Sequence, residues 1–199
     1  MMNKTVACLT LLSATLFSGC KSVVSDHLIG EPLAAEDVQE FEGIWLMGEK
    51  VLHVGHLKDN ILIAGSMEWE EGEFEIEQHT LVLTTKDDAV FLQMVPEKED
   101  GEARDDNIET EDDHQPWVLV GRLASPVSID DRLLVIYLPE FDQFEKCLNG
   151  GQITGELEDE GKTLHIQGDK ASLDELVSGD NLKILFHIDH PLVLQRYED

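Results

Sequence analysis

Positive charge is what this sequence has least of: 14 Lys and Arg stand against 42 Asp and Glu in 199 residues, a formal net charge of -28. Recognition of a nucleic-acid backbone needs a cationic face that replaces the counterions of the phosphates, so DNA and RNA binding are excluded as function classes. Cysteine is scarce as well, and three Cys staple neither a disulfide framework nor a multi-zinc module. The apolar run from Thr5 to Phe17 falls short of the roughly 20 residues that cross a bilayer as a helix. The patterns of the common nucleophilic, zinc-dependent and dithiol sites (G-x-S-x-G, H-E-x-x-H, C-x-x-C) do not occur. What the chain does have is a hydrophobic content of 42%, enough to build a core and too much for wholesale disorder.

Residues 1–20 read MMNKTVACLTLLSATLFSGC. A single cation, Lys4, precedes the apolar run, and small residues then lead into Cys20, the three-part layout of a secretory signal. The tetrad Phe17-Ser18-Gly19-Cys20 resembles a bacterial lipobox. The resemblance implies that residues 1–19 are removed and that Cys20 becomes the acylated first residue of a lipoprotein. Lys21 after the cysteine, by likeness to the enterobacterial sorting pattern, implies the outer membrane. Several acyl chains give stable anchoring where one does not, so the membrane is an expected partner. Processing removes Lys4 and no acidic residue, which takes the net charge from -28 to -29. With Cys20 acylated, Cys147 has no intrachain partner, and a disulfide-rich fold is excluded.

The remaining length suits one domain. Lys21 to Leu33 reads as a tether, and Ala34 to Phe41 as one or two helical turns, so residues 20–40 precede a single β-rich domain at 41–199. Expected strands are Ile44–Met47, Val51–Leu57, Ile61–Trp69, Glu73–Glu77, Thr80–Thr85 and Val90–Val95. In Glu73-Phe74-Glu75-Ile76-Glu77 the apolar residues alternate with charges, and Met67 and Trp69 alternate with Glu68 and Glu70. That period of two predicts strands packed inside and wet outside. Lys58-Asp59-Asn60, Glu70-Glu71-Gly72 and Lys86-Asp87-Asp88 supply the turns. Residues 97–115 carry ten acidic and two basic residues and almost nothing apolar, so a mobile acidic loop is expected there. Strands resume at Trp117–Leu123 and Arg132–Leu138.

Pro139–Leu148 reads as a short helix stopped by Asn149-Gly150-Gly151. Ile153–Leu157 and Thr163–Gln167 form a hairpin, and Ser172-Leu173-Asp174-Glu175 reads as a capping box that opens a second helix ahead of Gly179. Asn181–Ile188 is open between helical turn and strand, and Leu192–Tyr197 is the closing strand. The expected fold class is mainly β: an antiparallel meander closing into a small barrel or sandwich, with two short helices in the C-terminal third. Gly43-Ile44-Trp45 at the first strand resembles the G-x-W start of lipocalin-type barrels. That resemblance implies that Trp45 closes the barrel floor and that Arg196 packs on its ring as a cation–π contact.

Other motifs carry less chemistry. His53/His56 and His187/His190 are H-x-x-H pairs, but strand spacing puts His53 and His56 on opposite faces, and zinc needs three or four convergent ligands. No metal site is expected. Gly161-Lys162-Thr163 sits among carboxylates and before a strand, so it reads as a hairpin turn and not a phosphate loop. Cys147 follows apolar helix positions and reads as a small buried hydrophobe. No catalytic residue and no cofactor is expected. The function expected is that of a lipid-anchored cell-envelope protein, a non-enzymatic binding or structural module whose partner is an envelope protein or a small apolar ligand. A lipocalin-like carrier of an apolar molecule is the alternative, and a hydrolase without a recognisable motif the third. Acidity spread over most of the chain suits a salty medium, where screening removes self-repulsion.

Overall fold

The computed structural model describes residues 21–70, 73–95, 116–124 and 132–197. Cys20 and the acidic segment 97–115 lie outside the described residues. The chain is mainly β, as its period-two segments require. In order come strands β1 (Ser22–Ser25) and β2 (Glu31–Pro32), helix α1 (Ala35–Val38), and strands β3 (Gly43–Met47), β4 (Lys50–Lys58), β5 (Ile61–Glu70), β6 (Glu73–Lys86), β7 (Ala89–Met94), β8 (Trp117–Leu123) and β9 (Leu133–Tyr137). Helix α2 (Phe141–Asn149), strands β10 (Thr154–Glu158) and β11 (Thr163–Gln167), helices α3 (Lys170–Leu176) and α4 (Leu182–Leu185) and strand β12 (Leu192–Arg196) follow.

Strands β3 to β9 form an antiparallel meander, and β12 inserts between β9 and β3. The ring closes where β8 pairs with β9 through Arg122↔Tyr137 and Leu123↔Ile136. The result is a closed eight-stranded barrel, with everything between β9 and β12 set outside it. Closure removes the exposed strand edges of an open sheet. The seam needs Gly121: a Cβ there would stand 2.5 Å from Ile136 Cγ2 and 2.8 Å from the Tyr137 carbonyl oxygen.

The first half of β8 makes a different pairing. Val24↔Val118 and Ser25↔Trp117 join β1 to it, and β1 runs parallel to β11 from Ser22↔Thr163 to Ser25↔Ile166. A side sheet β10-β11-β1 therefore leaves the barrel at β8. This corrects the reading of Lys21–Leu33 as a tether. Val23 and Val24 are buried, Ile29 is buried, and β2 pairs with β6 at Thr84 and Thr85. The segment is too short to show a period, and it is ordered by partners far away in sequence.

Among the described residues two large hydrophobic cores result, with a small third cluster of Ile61, Val82, Val95 and Trp117. Trp45, Leu62, Leu83, Leu92, Leu123, Ile136 and Leu194 point into the barrel. Phe91 and Leu119, on its outer wall, pack with Phe144, Leu164, Leu176, Leu185 and Phe186 from the side sheet and helices. Strand β7 serves both, so all six of its residues are buried.

Three further corrections concern local reading. The segments Glu73–Glu77 and Thr80–Thr85 are one strand, β6. In this hairpin Ile76 faces out, 74% exposed, and pairs with Met67, which is 62% exposed, while Glu77 lines the barrel interior. Alternation identifies two faces but not which one is covered. Helix α3 starts earlier than the expected capping box; its cap is Asp169, whose carboxylate accepts from the Ser172 amide at 2.9 Å. Asn181–Ile188 resolves into α4 and a bridge between Pro139 and Phe186.

One titratable group ties the side sheet together. His165 on β11 lies between Asp26 (Nε2 to Oδ1, 2.7 Å) and Glu158 (Nδ1 to Oε1, 2.9 Å). Burial pushes its pKa down, but hydrogen bonds to Glu158 and Asp26 and their charges outweigh burial, so the net direction is up. A raised folded pKa stabilises while the imidazole is charged in both states, below about 6.5, and that gain is lost as pH rises through the folded value. The stability difference between wild type and His165→Gln, measured by urea denaturation, is expected to be larger at pH 6 than at pH 9. His165 is half-buried, but its carboxylate partners Asp26 and Glu158 are 33% and 43% exposed, so solvent screens the pairs and the change should be about 1 kcal/mol or less. A larger difference at pH 9 contradicts the assignment.

Candidate ligand cavity

The interior of the barrel is not filled. A cavity of ≈ 370 Å³ lies within it, in the range of about 300–1,000 Å³ typical of small-molecule sites. Strand alternation dictates its lining. Trp45 and Met47 of β3, Leu52 and Val54 of β4, Leu62 and Ala64 of β5, Leu81 and Leu83 of β6, Leu92 and Met94 of β7, and Leu192 and Leu194 of β12 each sit two residues apart and share the inner face. Val120, Leu123, Leu134 and Ile136 complete the wall. Strand β5 contributes Ala64 and Ser66, and the small side chains leave room that a larger residue would take.

The two ends of the barrel differ. At one end the chain entering β3 forms a floor: Val38 is fully buried, Phe41 lines the cavity, and the Trp45 indole Nε1 donates to the Phe41 carbonyl at 2.9 Å. Arg196 locks this floor. Its guanidinium lies 4.8 Å from the Trp45 ring centroid and donates to the carbonyls of Glu40 and Glu42. Arg196 and Trp45 also face each other on the β12–β3 ladder, so the two ends of the barrel sequence meet there. At the other end, where the β3–β4 and β5–β6 hairpins turn, the lining becomes polar with Lys50, Ser66, Glu77 and His79. An apolar interior with a closed floor and polar groups gathered at one rim suits a molecule with an apolar body and a polar end.

The histidine pairs do not converge. His53 is exposed on β4, whereas His56 donates from Nε2 to the Asp59 carbonyl at 2.9 Å. The irregularity of this ladder lies between His56 and Lys58. His187 Nδ1 is 2.6 Å from Glu140 Oε2, and His190 is exposed. Among the described residues no three His, Cys, Asp or Glu come together around a metal-sized space. Gly161-Lys162-Thr163 lies in the turn joining β10 to β11. Cys147 is half-buried on α2, and burial pushes its thiol pKa up, the opposite of what an attacking thiolate needs.

The cavity was missed from sequence. Its only sequence signal is the run of apolar residues at every second position of β4 and β6, and that pattern reads the same for a filled barrel. Comparison with protein-family models, with curated proteins and with solved structures finds no match, so the reading of the cavity rests on its own geometry.

Proposed function

We propose that this chain is a lipid-anchored protein of the bacterial envelope whose barrel holds a small apolar or amphipathic ligand. It is a binding protein and not an enzyme. The observation that carries this reading is the ≈ 370 Å³ apolar cavity above the floor of Phe41, Trp45 and Arg196. At about 30 Å³ per water-sized group the space takes on the order of a dozen such groups, the size of a medium-length alkyl chain. Its head would lie among Lys50, Ser66, Glu77 and His79. The anchor is Cys20, with its signal-like run and Ser18-Gly19 before it, and the outer membrane is the site that Lys21 supports.

Ligand uptake is tested with residues 21–199 produced without acyl chains. Dodecanol and an environment-sensitive apolar fluorophore are expected to compete for one saturable site. Ala64→Phe, which projects a ring into the cavity, is expected to weaken binding at least tenfold while the melting temperature stays within a few degrees. A folded wild type that takes up neither probe sinks the reading, as does a folded Ala64→Phe variant of unchanged affinity.

A further inference from the structure

The polar end of the cavity carries information about the head group that an apolar chain brings to it. The inner polar residues there are Lys50 of β4, Ser66 of β5, and Glu77 and His79 of β6. Ser66 and Glu77 stand directly opposite each other on the β5–β6 ladder, and Leu52 flanks Ser66 from β4. Both therefore project from one row of the inner wall into the same space. Ser66 is 8% exposed, and Glu77 is half-buried.

The four polar residues are not equivalent. Lys50 and His79 are already engaged in interactions of their own. Among the described residues, the Ser66 hydroxyl and the Glu77 carboxylate have no hydrogen-bond or ion-pair partner, although both line the cavity. Buried hydroxyls are rarely left without a partner, and a carboxylate drawn away from water costs free energy until a donor or an opposite charge meets it. Two acceptors side by side, one of them anionic, are complementary to a group that offers several donors and a positive charge. A protonated primary amine is such a group, with three donors and no acceptor. A carboxylate head would set a second anion against Glu77, and a hydroxyl head supplies one donor and no charge. The excess of 42 acidic over 14 basic residues works in the same direction, since it concentrates cations near the protein.

We propose that the ligand of this cavity is a single-chain amphiphile with a free cationic amine head, its ammonium donating to Glu77 and Ser66 and its alkyl chain running toward Trp45. This rests on the cavity reading given above and names the chemistry of its ligand. The volume of ≈ 370 Å³ holds one such chain and not two.

The test uses residues 21–199 as above, which contain every described residue. Dodecylammonium, dodecanol and dodecanoate, equal in chain length, compete with the apolar fluorophore at pH 7, each below its micelle-forming concentration. Dodecylammonium is expected to bind about tenfold or more tighter than dodecanoate, because its hydrogen bonds are charge-assisted, with dodecanol between them. Glu77→Gln should bring that ratio below about threefold while dodecanol affinity and melting temperature stay near those of the wild type. Glu36→Gln, at an exposed position in α1 at the floor, should leave the ratio unchanged. Salt at about 0.5 M screens the long-range field of the surface but acts less on a partly buried pair, so the wild-type ratio should stay above about fivefold there. Folded protein that takes up none of the three compounds overturns the cavity reading and this inference together. Uptake of dodecanol, with dodecanoate bound as tightly as dodecylammonium or tighter, overturns the amine head alone. A preference that vanishes in salt, that falls equally in Glu36→Gln and Glu77→Gln, or that persists in a folded Glu77→Gln variant overturns the role of Glu77. Lauroyl lysophosphatidylethanolamine, whose ammonium is joined to a phosphate, separates a free amine from a lipid headgroup. It is expected to compete no better than dodecanol, and competition equal to that of dodecylammonium overturns the restriction to a free amine.

Discussion

Trp45→Ala is expected to lower the stability of the folded chain by roughly 3–5 kcal/mol, the largest single effect in the barrel. The indole is 3% exposed, so nearly all of its apolar surface is withdrawn from water. Its Nε1 donates to the Phe41 carbonyl, which would be left without that partner. The truncation also opens the cavity through its floor, where collapse is limited by the closed ladder around it. Against a total of about 5–15 kcal/mol for a domain, such a loss should lower the melting temperature sharply or stop the protein accumulating. Arg196→Ala should cost less, about 1–2 kcal/mol, because the guanidinium is partly solvated. The two changes are expected not to add: stacking at 4.8 Å and the shared support of the turn 39–42 predict a coupling of about 0.5–1 kcal/mol in a double-mutant cycle. Coupling near zero would show that Arg196 acts on the Glu40 and Glu42 carbonyls alone. Trp45→Ala at wild-type stability would remove the floor from the account.

Phe186→Ala should cost a similar amount, roughly 3–5 kcal/mol, from outside the barrel. Phe186 is 1% exposed. Its ring lies 5.9 Å from Phe91 on the outer wall of β7 and 6.1 Å from Phe144 on α2, the latter pair edge to face. It is thus the side chain that joins helix to barrel, and the segment carrying it is fastened by the Pro139↔Phe186 bridge and by His187 donating to the Leu138 carbonyl. Because the outer core and the barrel share β7, urea denaturation of the variant should remain one transition, shifted to lower urea. An early transition of the helical part with the barrel signal unmoved would mean that the two cores fold separately, contrary to the burial of both faces of β7.

Much of the barrel is legible residue by residue. Lys58-Asp59-Asn60 and Lys86-Asp87-Asp88 mark turns because Asp59, Asp87 and Asp88 adopt positive φ, which Asp tolerates better than most residues. The strands between them show a period of two. Helix α2 is legible in Phe141, Phe144 and Leu148 on one face, with Gly150 and Gly151 behind it. The stacking of Arg196 on Trp45 is where the G-x-W pattern at Gly43 placed it. By contrast, Val23-Val24 gives no readable strand, since two apolar residues have no period and their partners lie about 95 and 140 positions away. The Met67–Ile76 pair shows the same limit from the other side. Its alternation with glutamate is plain, yet Met67 and Ile76 lie outside, because register with Ser66 and Glu77 binds them to the parity of the barrel wall.

By itself the sequence therefore determined the class of fold and several of the places where the chain turns, though it divided β6 into two strands. These depend on neighbours within a few positions, through side-chain period, turn chemistry and capping. Only the tertiary structure decided that the ring closes through β8 and β9, that β12 returns to β3, that Ser22–Ser25 is a strand, and that the interior keeps an apolar space with polar groups at one end. Each of these depends on which distant surfaces meet and on how much volume is left when they do, and neither quantity is encoded in any local run of residues.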